Sequence, residues 1–429
     1  MKLKYLSAIL VCMVASTASA TIDIVLTKGK SSAIPLGISQ FTGQDKLTDK
    51  TNLAAVMNSD LENSGEIRPT LADGMNTDIG YWRGQGADDI VTGSIAAYGT
   101  QYQIAYQLNN LFDTAESGQL DSRTLSQQSF TVRPDQFRAL AHHLSDDVFQ
   151  RLTGVKGVAS TKLAYVVVTQ QATQSPQYRL EISDADGANA HTILTSKEPI
   201  MSPVWSPDAQ QLAYVSFEGH RARLFMQNLQ TGQRQILSQA EGINNAPAFS
   251  PDGKTLALVL SKSGNPKIYL MDLASGKVEQ LTQGLSIDTE PAWLPDGKAI
   301  LFTSNRGGTP QVYRKDLMSG QVTRLTYEGD YNARPRVLPD GSGFVVMHRE
   351  TGMFGIATQS FSDSKMHILS NEGGDESPSI SPNGRQIIYA TRIGGRGILA
   401  IVAIDGDFKM RLPARNGDVQ EPAWSPFIA

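Results

Sequence analysis

The sequence predicts an α/β N-terminal domain followed by an all-β six-bladed β-propeller closed by the C-terminal strand, and three observations carry that prediction. First, a motif of the form Pro-x-x-Ser/Leu-Pro recurs at Pro203, Pro247, Pro291, Pro335, Pro378 and Pro422, at spacings of 44, 44, 44, 43 and 44 residues. Each period contains four short apolar runs separated by Gly- or Asp-containing turns, which is the signature of one propeller blade. Second, residues 161–196 hold three such runs (162–168, 178–183 and 191–195) without the opening motif, and the missing strand stands at the other end of the chain as Glu421-Pro422-Ala423-Trp424. Joining the two ends completes six blades and leaves no inner strand unpaired. Third, before residue 155 the repeat vanishes and apolar residues fall three and four apart, the period of an amphipathic helix.

Taken in order, residues 1–20 read as a secretory signal. Lys2 and Lys4 precede an apolar run over 5–14, and Ala18-Ser19-Ala20 supplies the small residues of a cleavage site after Ala20. The run of about ten residues is half the length of a bilayer span of about 20. The one cysteine, Cys12, lies inside this segment, so the mature chain is expected to rely on burial and backbone pairing rather than disulfides. Loss of Lys2 and Lys4 with the signal moves the formal net charge from −4 to −6.

Residues 21–155 are expected to form the N-terminal α/β domain. Strands are predicted over 22–26 and 36–41, joined by the turn 28–32. A helix is predicted over 51–63, where Leu53, Val56, Met57 and Leu61 share a face and Ser64-Gly65 ends it. Further strands are predicted over 89–94, 101–108 and 123–131. A second helix begins at Pro134-Asp135 and carries Phe137, Leu140, Ala141, Leu144, Val148, Phe149 and Leu152 on one face. Gly154 to Gly157 are expected as a short hinge into the propeller, residues 156–429.

Within the repeat the turn chemistry has a mechanism. Pro presets φ at the second turn position, Asp accepts bonds from nearby amides, and Gly takes the positive φ that closes the hairpin. Trp205, Phe249, Trp293 and Trp424 recur at one phase and are expected to pack between neighbouring blades rather than stack on a ligand. Asp252, Asp296 and Asp340 are expected as turn residues rather than metal ligands.

Composition and motifs restrict function. At 40% hydrophobic and 19% charged residues the chain can bury a sizeable core and is not globally disordered. Its acidic balance offers no general attraction to nucleic acid or to an anionic bilayer. The sequence lacks a nucleophile elbow, a phosphate-binding loop, a complete dinucleotide fingerprint and paired cysteines. Gly84-Gln85-Gly86 is followed by Asp89 where a third Gly would stand and is read as a loop. Asp184-Ala185-Asp186-Gly187 lacks the further ligands of a calcium loop and is read as the turn between the third and fourth strands of the incomplete blade. His142 and His143 are adjacent on a helix, about 100° apart, and cannot chelate one ion, so a surface or packing role is expected.

The assembled features resemble the TolB family, the periplasmic component of the Tol-Pal system of Gram-negative bacteria. The resemblance covers essentially the whole mature chain. It rests on Leu163-Ala164-Tyr165-Val166-Val167, Met201-Ser202-Pro203-Val204-Trp205-Ser206-Pro207-Asp208, Ala246-Pro247-Ala248-Phe249-Ser250-Pro251-Asp252-Gly253, Tyr269-Leu270-Met271-Asp272-Leu273-Ala274-Ser275-Gly276, Thr289-Glu290-Pro291-Ala292-Trp293 and Pro422-Ala423-Trp424-Ser425-Pro426.

It implies a non-enzymatic binding protein in the periplasm, without cofactor or metal, that links an inner-membrane complex containing TolA to the outer-membrane lipoprotein Pal. Other envelope proteins and bacteriocins are implied as further partners, and attachment to membranes is implied only through partners. By resemblance, the mature N-terminal strand, Thr21, Ile22, Asp23, Ile24, Val25, Leu26 and Thr27, is the segment that packs on the protein itself or is released to bind TolA. By resemblance again, Pal docks over one mouth of the propeller, on loops preceding the first strands of several blades. Those loops are expected to hold Ser202, Pro203, Asn244, Ala246, Pro247, Thr289, Glu290, Pro291, Glu376, Pro378 and Glu421. Their shared phase in the repeat places them on one face independently of any family. Ile243 departs from the family, which often has His there. The alternative reading is a periplasmic metal-dependent hydrolase on a six-bladed propeller, which would hold a metal in the central channel.

Overall fold

The structure is a computed structural model, and residues 25–28, 32–46, 51–112, 123–170, 175–412 and 417–428 are described. The expected signal segment and Thr21, Ile22, Asp23 and Ile24 lie outside the described residues. Strand β1 (Val25–Lys28) belongs to the propeller. The N-terminal sheet contains β2 (Ile34–Ile38), β3 (Ile67–Leu71), β4 (Asp89–Tyr98), β5 (Gln101–Asn110) and β6 (Arg123–Val132) in the order β3-β2-β4-β5-β6. Both neighbours of β2 run parallel to it, whereas β4, β5 and β6 form an antiparallel meander.

Helices α1 (Leu53–Asn63) and α3 (Phe137–Thr153) cover this sheet. The Asn52 side chain starts α1 by accepting the Ala55 amide at 3.0 Å, and α3 ends on the left-handed Gly154 at φ 77°. Leu53, Val56, Met57 and Leu61 meet Phe137, Leu140, Ala141, Leu144 and Val148 in one core with Ile38, Val91, Ile104 and Tyr106. Two elements go beyond the sequence-based expectation. Strand β3 carries Pro69 and so reads poorly as a strand; it is tolerated because β3 is a sheet edge, where a missing N–H costs no ladder bond. Helix α2 (Ile79–Gly84) is a short turn capped by Asp78, and it buries Trp82 over Gly37, where a Cβ would lie 2.5 Å from the indole ring. The strand expected over 36–41 starts two residues earlier and ends at Ile38, and Phe41 is still buried beyond it.

The propeller has six blades, each an antiparallel meander running from an inner to an outer strand. Blade 2 shows the pattern: Ile200–Trp205, Gln211–Ser216, Arg223–Asn228 and Arg234–Ser238. The inner strands of blades 3 to 6 are Asn244–Phe249, Asp288–Trp293, Tyr331–Val337 and Glu376–Ile380. Blade 1 combines Lys162–Thr169, Gln177–Asp184 and His191–Ser196 with the C-terminal strand Asp418–Trp424 as its inner member. Closure by the chain's own end is therefore borne out. Ala423 pairs with Ala164 and Trp424 with Leu163, and Lys162 and Ser425 exchange two bonds of 2.9 Å.

The aromatic phase packs between blades. Trp205 sits among Ala164, Val166 and Leu180 of blade 1, and its indole donates to the Ala423 carbonyl at 3.0 Å. Trp293 donates likewise to Ala248 and Trp424 to Thr161. In the Ser-Pro-Asp-Gly turns, Ser250 donates to Asp252 at 2.6 Å and accepts from the Thr255 amide at 2.9 Å, while Gly253 takes φ 69°. The Ser250 hydroxyl holds the Asp252 carboxyl below the usual carboxylate range, so this side chain is committed to its turn.

Candidate functional site

Every inner strand bulges at the same place. The residue before the repeated Pro is left-handed in all six blades: Ser202, Ala246, Glu290, Arg334, Ser377 and Glu421 have φ between 46° and 54°. Each marks a register shift in the ladder to the second strand. A non-Gly residue in this region costs roughly 1 kcal/mol or more and persists only where its surroundings impose it. Here the ring of blades imposes it six times, and the bulges bring polar side chains together across the central channel.

Arg334 is the centre of that group. Its guanidinium donates to Glu421 at 2.9 Å and to the Ser377 hydroxyl, and it lies 3.6 Å from Glu290. Glu421 in turn accepts the Ser202 amide at 3.1 Å, and the Ser202 hydroxyl donates to Asn245 at 3.1 Å. Burial disfavours both charges, but the pairing outweighs it: Arg334 is held above its ordinary range and the Glu421 carboxyl below its own. Arg336, two residues on, stands where the other blades carry Val204, Ala248, Ala292, Ser379 and Ala423; it donates to the Pro335 carbonyl, and burial pushes its guanidinium down. A cavity of about 430 Å³ runs from this ring toward the Ser-Pro turns.

The residues expected on loops before the first strands stand instead within those strands. Bulging draws Ser202, Pro203, Ala246, Pro247, Glu290, Pro291 and Glu421 into the channel wall, which the linear motif does not reveal. Pro203, Asn244, Ala246, Pro247, Pro291 and Pro378 are buried, Ser202, Thr289, Glu290 and Glu421 are half-buried, and Glu376 is exposed. Asn244 is a fully buried hub that accepts from Ser238 at 2.6 Å and the Ala240 amide at 3.1 Å, and donates to the Ala222 and Ala240 carbonyls. Asp288 plays the same part in blade 4, joining Lys267 at 3.0 Å, Ser304 at 2.6 Å and Arg306 at 3.1 Å, and Asn332 and Asp375 do so in blades 5 and 6. The signal for these hubs is in the sequence, since Asn244, Asp288, Asn332 and Asp375 recur 44, 44 and 43 residues apart. The loops on that face present exposed apolar side chains instead: Ile243, Leu285, Ile287 and Tyr327, with Leu285 92% exposed.

A second feature lies on the rim. Strand β1 pairs antiparallel with the outer strand of blade 6, Lys409–Leu412, setting Val25 opposite Arg411 and Leu26 opposite Met410, and makes that blade five-stranded. The outer strand is also braced by Glu372, which accepts from Lys409 at 2.5 Å and Arg411 at 3.2 Å.

The two domains meet through both apolar and polar contacts, with Gly65 packed on Phe408 of blade 6. Gln386 donates to the Asn63 carbonyl at 2.8 Å and Asn383 to the Lys156 carbonyl at 3.0 Å. The segment expected as a hinge is tied down by that Asn383–Lys156 bond, and just beyond it Asp146 accepts the Ala159 and Ser160 amides at 2.7 and 3.0 Å. His142 corrects the expectation of a surface or packing role: it is 3% exposed and bridges Asp60 of α1 and Asp184 of blade 1. His143 is exposed and edge-on to Phe130. Among the described residues, Asp60, His142 and Asp186 are the one group with metal-ligand proximity, and it lies at this domain junction rather than in the channel. Arg138 and Lys162 already occupy Asp186 and Asp184, so the cluster is met by protein cations.

Comparison with known proteins agrees with this architecture. Residues 149–428 match the family model described as the TolB beta propeller domain, and residues 22–120 match the TolB amino-terminal domain. The chain is 59% identical over 419 residues to the Tol-Pal system protein TolB of Coxiella burnetii, covering 95% of this chain and 94% of that one. It is 55% identical over 412 residues to the protein of the same name from Legionella pneumophila, covering 95% and 96%. The crystal structure of TolB from Acinetobacter baumannii superposes with a TM-score of 0.85 at 37% identity, over 95% of this chain and all of that one.

Proposed function

The chain belongs to the TolB family, whose relatives are named for the Tol-Pal system and not for a reaction, and on that premise we propose that it is a non-enzymatic periplasmic protein linking the inner-membrane TolA complex to the outer-membrane lipoprotein Pal. In this reading it supports outer-membrane integrity and envelope constriction at division. Residues 1–20 are removed on export, 21–155 act as the N-terminal domain, whose first strand β1 is lent to the propeller, and 156–429 act as the propeller.

The observation that carries the reading is β1. A terminal strand held on a sheet edge by backbone bonds can be given to the edge of another protein's sheet, because main-chain pairing supplies affinity and alternate side chains supply specificity. Thr21, Ile22, Asp23, Ile24, Val25, Leu26 and Thr27 are the proposed TolA segment.

Pal is proposed to dock on the propeller face whose loops expose Ile243, Leu285, Ile287 and Tyr327. Ser202, Thr289, Glu290, Glu376 and Glu421 would meet it, while the buried Pro203, Ala246, Pro247 and Pro291 shape the channel wall and the buried Asn244 and Pro378 hold the inner strands. If docking there and release of β1 bias one equilibrium, each partner must change the other's affinity by the same factor. Calorimetric titration of Pal into the mature chain and into a variant lacking residues 21–26 tests this. Loss of TolA binding with a several-fold change in Pal affinity is expected, and equal Pal affinities would remove the coupling.

A further inference from the structure

The polar cluster at the domain junction is built around one ring. His142 Nδ1 lies 2.8 Å from Asp60 Oδ2, an oxygen that also accepts the Ser145 hydroxyl at 2.8 Å. On its other side, His142 Nε2 faces Asp184 Oδ2 at 3.5 Å. From α3 itself, Arg138 reaches Asp184 at 3.3 Å and pairs with Asp186, and Asp146 faces the interdomain segment. From the propeller, Lys162 pairs with Asp184, and Asn189 donates to the same carboxylate at 2.8 Å. The carboxyl groups Asp60, Asp184 and Asp186 thus gather around the ring with the cations Arg138 and Lys162, and burial pushes the Asp60 carboxyl up. A ring flanked by a carboxylate at each nitrogen can donate to both only when both nitrogens carry hydrogen.

Chain length adds a mechanical link. Lys28 is the last residue of β1 in the blade 6 sheet and Ile34 the first of β2 in the N-terminal sheet, so five residues join the two bodies. Six fully extended Cα steps reach about 20 Å, so the N-terminal domain cannot move far from blade 6 without pulling on β1.

We propose that His142, as an imidazolium joining Asp60 to Asp184, is the bolt of an interdomain latch, and that drawing this bolt lets the N-terminal domain swing from blade 1 and peels β1 from blade 6 through its short tether. The latch concerns the chain alone and does not depend on the identity of any partner. Burial works against the charged ring, but the Asp184 and Asp60 carboxyl groups beside it prevail and pull its pKa up to about 10, while His142 and Lys162 hold the Asp184 carboxyl well below its usual range. The bolt is therefore closed at neutral pH and opens in alkali.

The test uses the mature chain, which has no cysteine of its own, with dyes on Gln103→Cys in the N-terminal domain and Met318→Cys on the propeller, both exposed positions. Interdomain energy transfer and hydrogen exchange at Leu26 and Met410 are followed from pH 7 to 11, with circular dichroism to certify that both domains stay folded. The wild type should open with a midpoint near pH 10, His142→Gln should be at least tenfold more open already at pH 7, and His143→Gln should follow the wild type. Asp184→Asn is a second route to the open state should His142→Gln fold poorly. A wild-type chain that stays closed to pH 11 overturns the proposal, as does His142→Gln as closed as the wild type. Opening that leaves the Leu26 and Met410 amides fully protected overturns the tether.

Discussion

The seam that closes the propeller and the seam that joins it to the N-terminal domain both unite residues far apart in sequence, yet only the second holds a buried cluster of charges. At the closure, Leu163, Tyr165 and Val167 pack with Val419 and Trp424, and an antiparallel ladder interrupted once by the bulge at Glu421 runs beside them. At the domain junction, a cluster of charged and amide side chains around Asp60, His142 and Asp184 stands beside the apolar contact of Gly65 with Phe408. Apolar burial is non-directional and insensitive to pH, so it suits a seam that stays shut. A paired charge holds only while each partner keeps its protonation state, which suits a seam that can part.

The largest break in this contrast is removal of residues 420–429. Blade 1 would lose its inner strand and the ring its closure, and a fall in melting temperature of more than about 10 °C is expected by calorimetry, since each kcal/mol shifts Tm by a few degrees in a chain of this size. An unchanged melting temperature would contradict closure. Trp424→Ala alone should cost about 3–5 kcal/mol in denaturant unfolding, the usual loss for a large buried aromatic side chain.

The domain junction should respond to pH instead. Because the His142 pKa is raised in the fold to about 10 from an ordinary 6.5, its contribution is fully present below pH 6.5 and is lost as pH rises toward 10. Thermal unfolding of the wild type across that window should slope downward more steeply than that of His142→Gln, and parallel slopes would sink the assignment. The smallest effect is expected at the exposed rim. Leu285→Ser should leave stability within about 0.5 kcal/mol, as surface changes generally do, while weakening Pal binding in the same calorimetric assay.

How far these seams were legible in the sequence follows their chemistry. The closure was readable because its missing strand and the strand that supplies it share a motif with five other blades. Turn residues were readable for the same reason, since Ser250, Asp252 and Gly253 act on one another within a few positions. The junction was not: Asp60, His142 and Asp184 are separated by 82 and 42 residues, and no spacing rule connects them. The hubs Asn244, Asp288, Asn332 and Asp375 were written at a regular pitch, but their role depends on burial, which a one-dimensional pattern does not report. Strand β3 was obscured by Pro69, whose edge position only the sheet order reveals.

By itself, the sequence determined the number of blades, the phase of turns and interblade wedges, and the ring's closure by its two ends, because local propensity and a repeated period act within tens of residues. Only the tertiary structure decided that the residues before the repeated prolines turn left-handed into the channel around Arg334, that β1 becomes the fifth strand of blade 6, and that a buried histidine carries the charge between the domains. Those are outcomes of which distant groups meet in a low-dielectric interior, and that meeting is set by packing rather than by any stretch of chain.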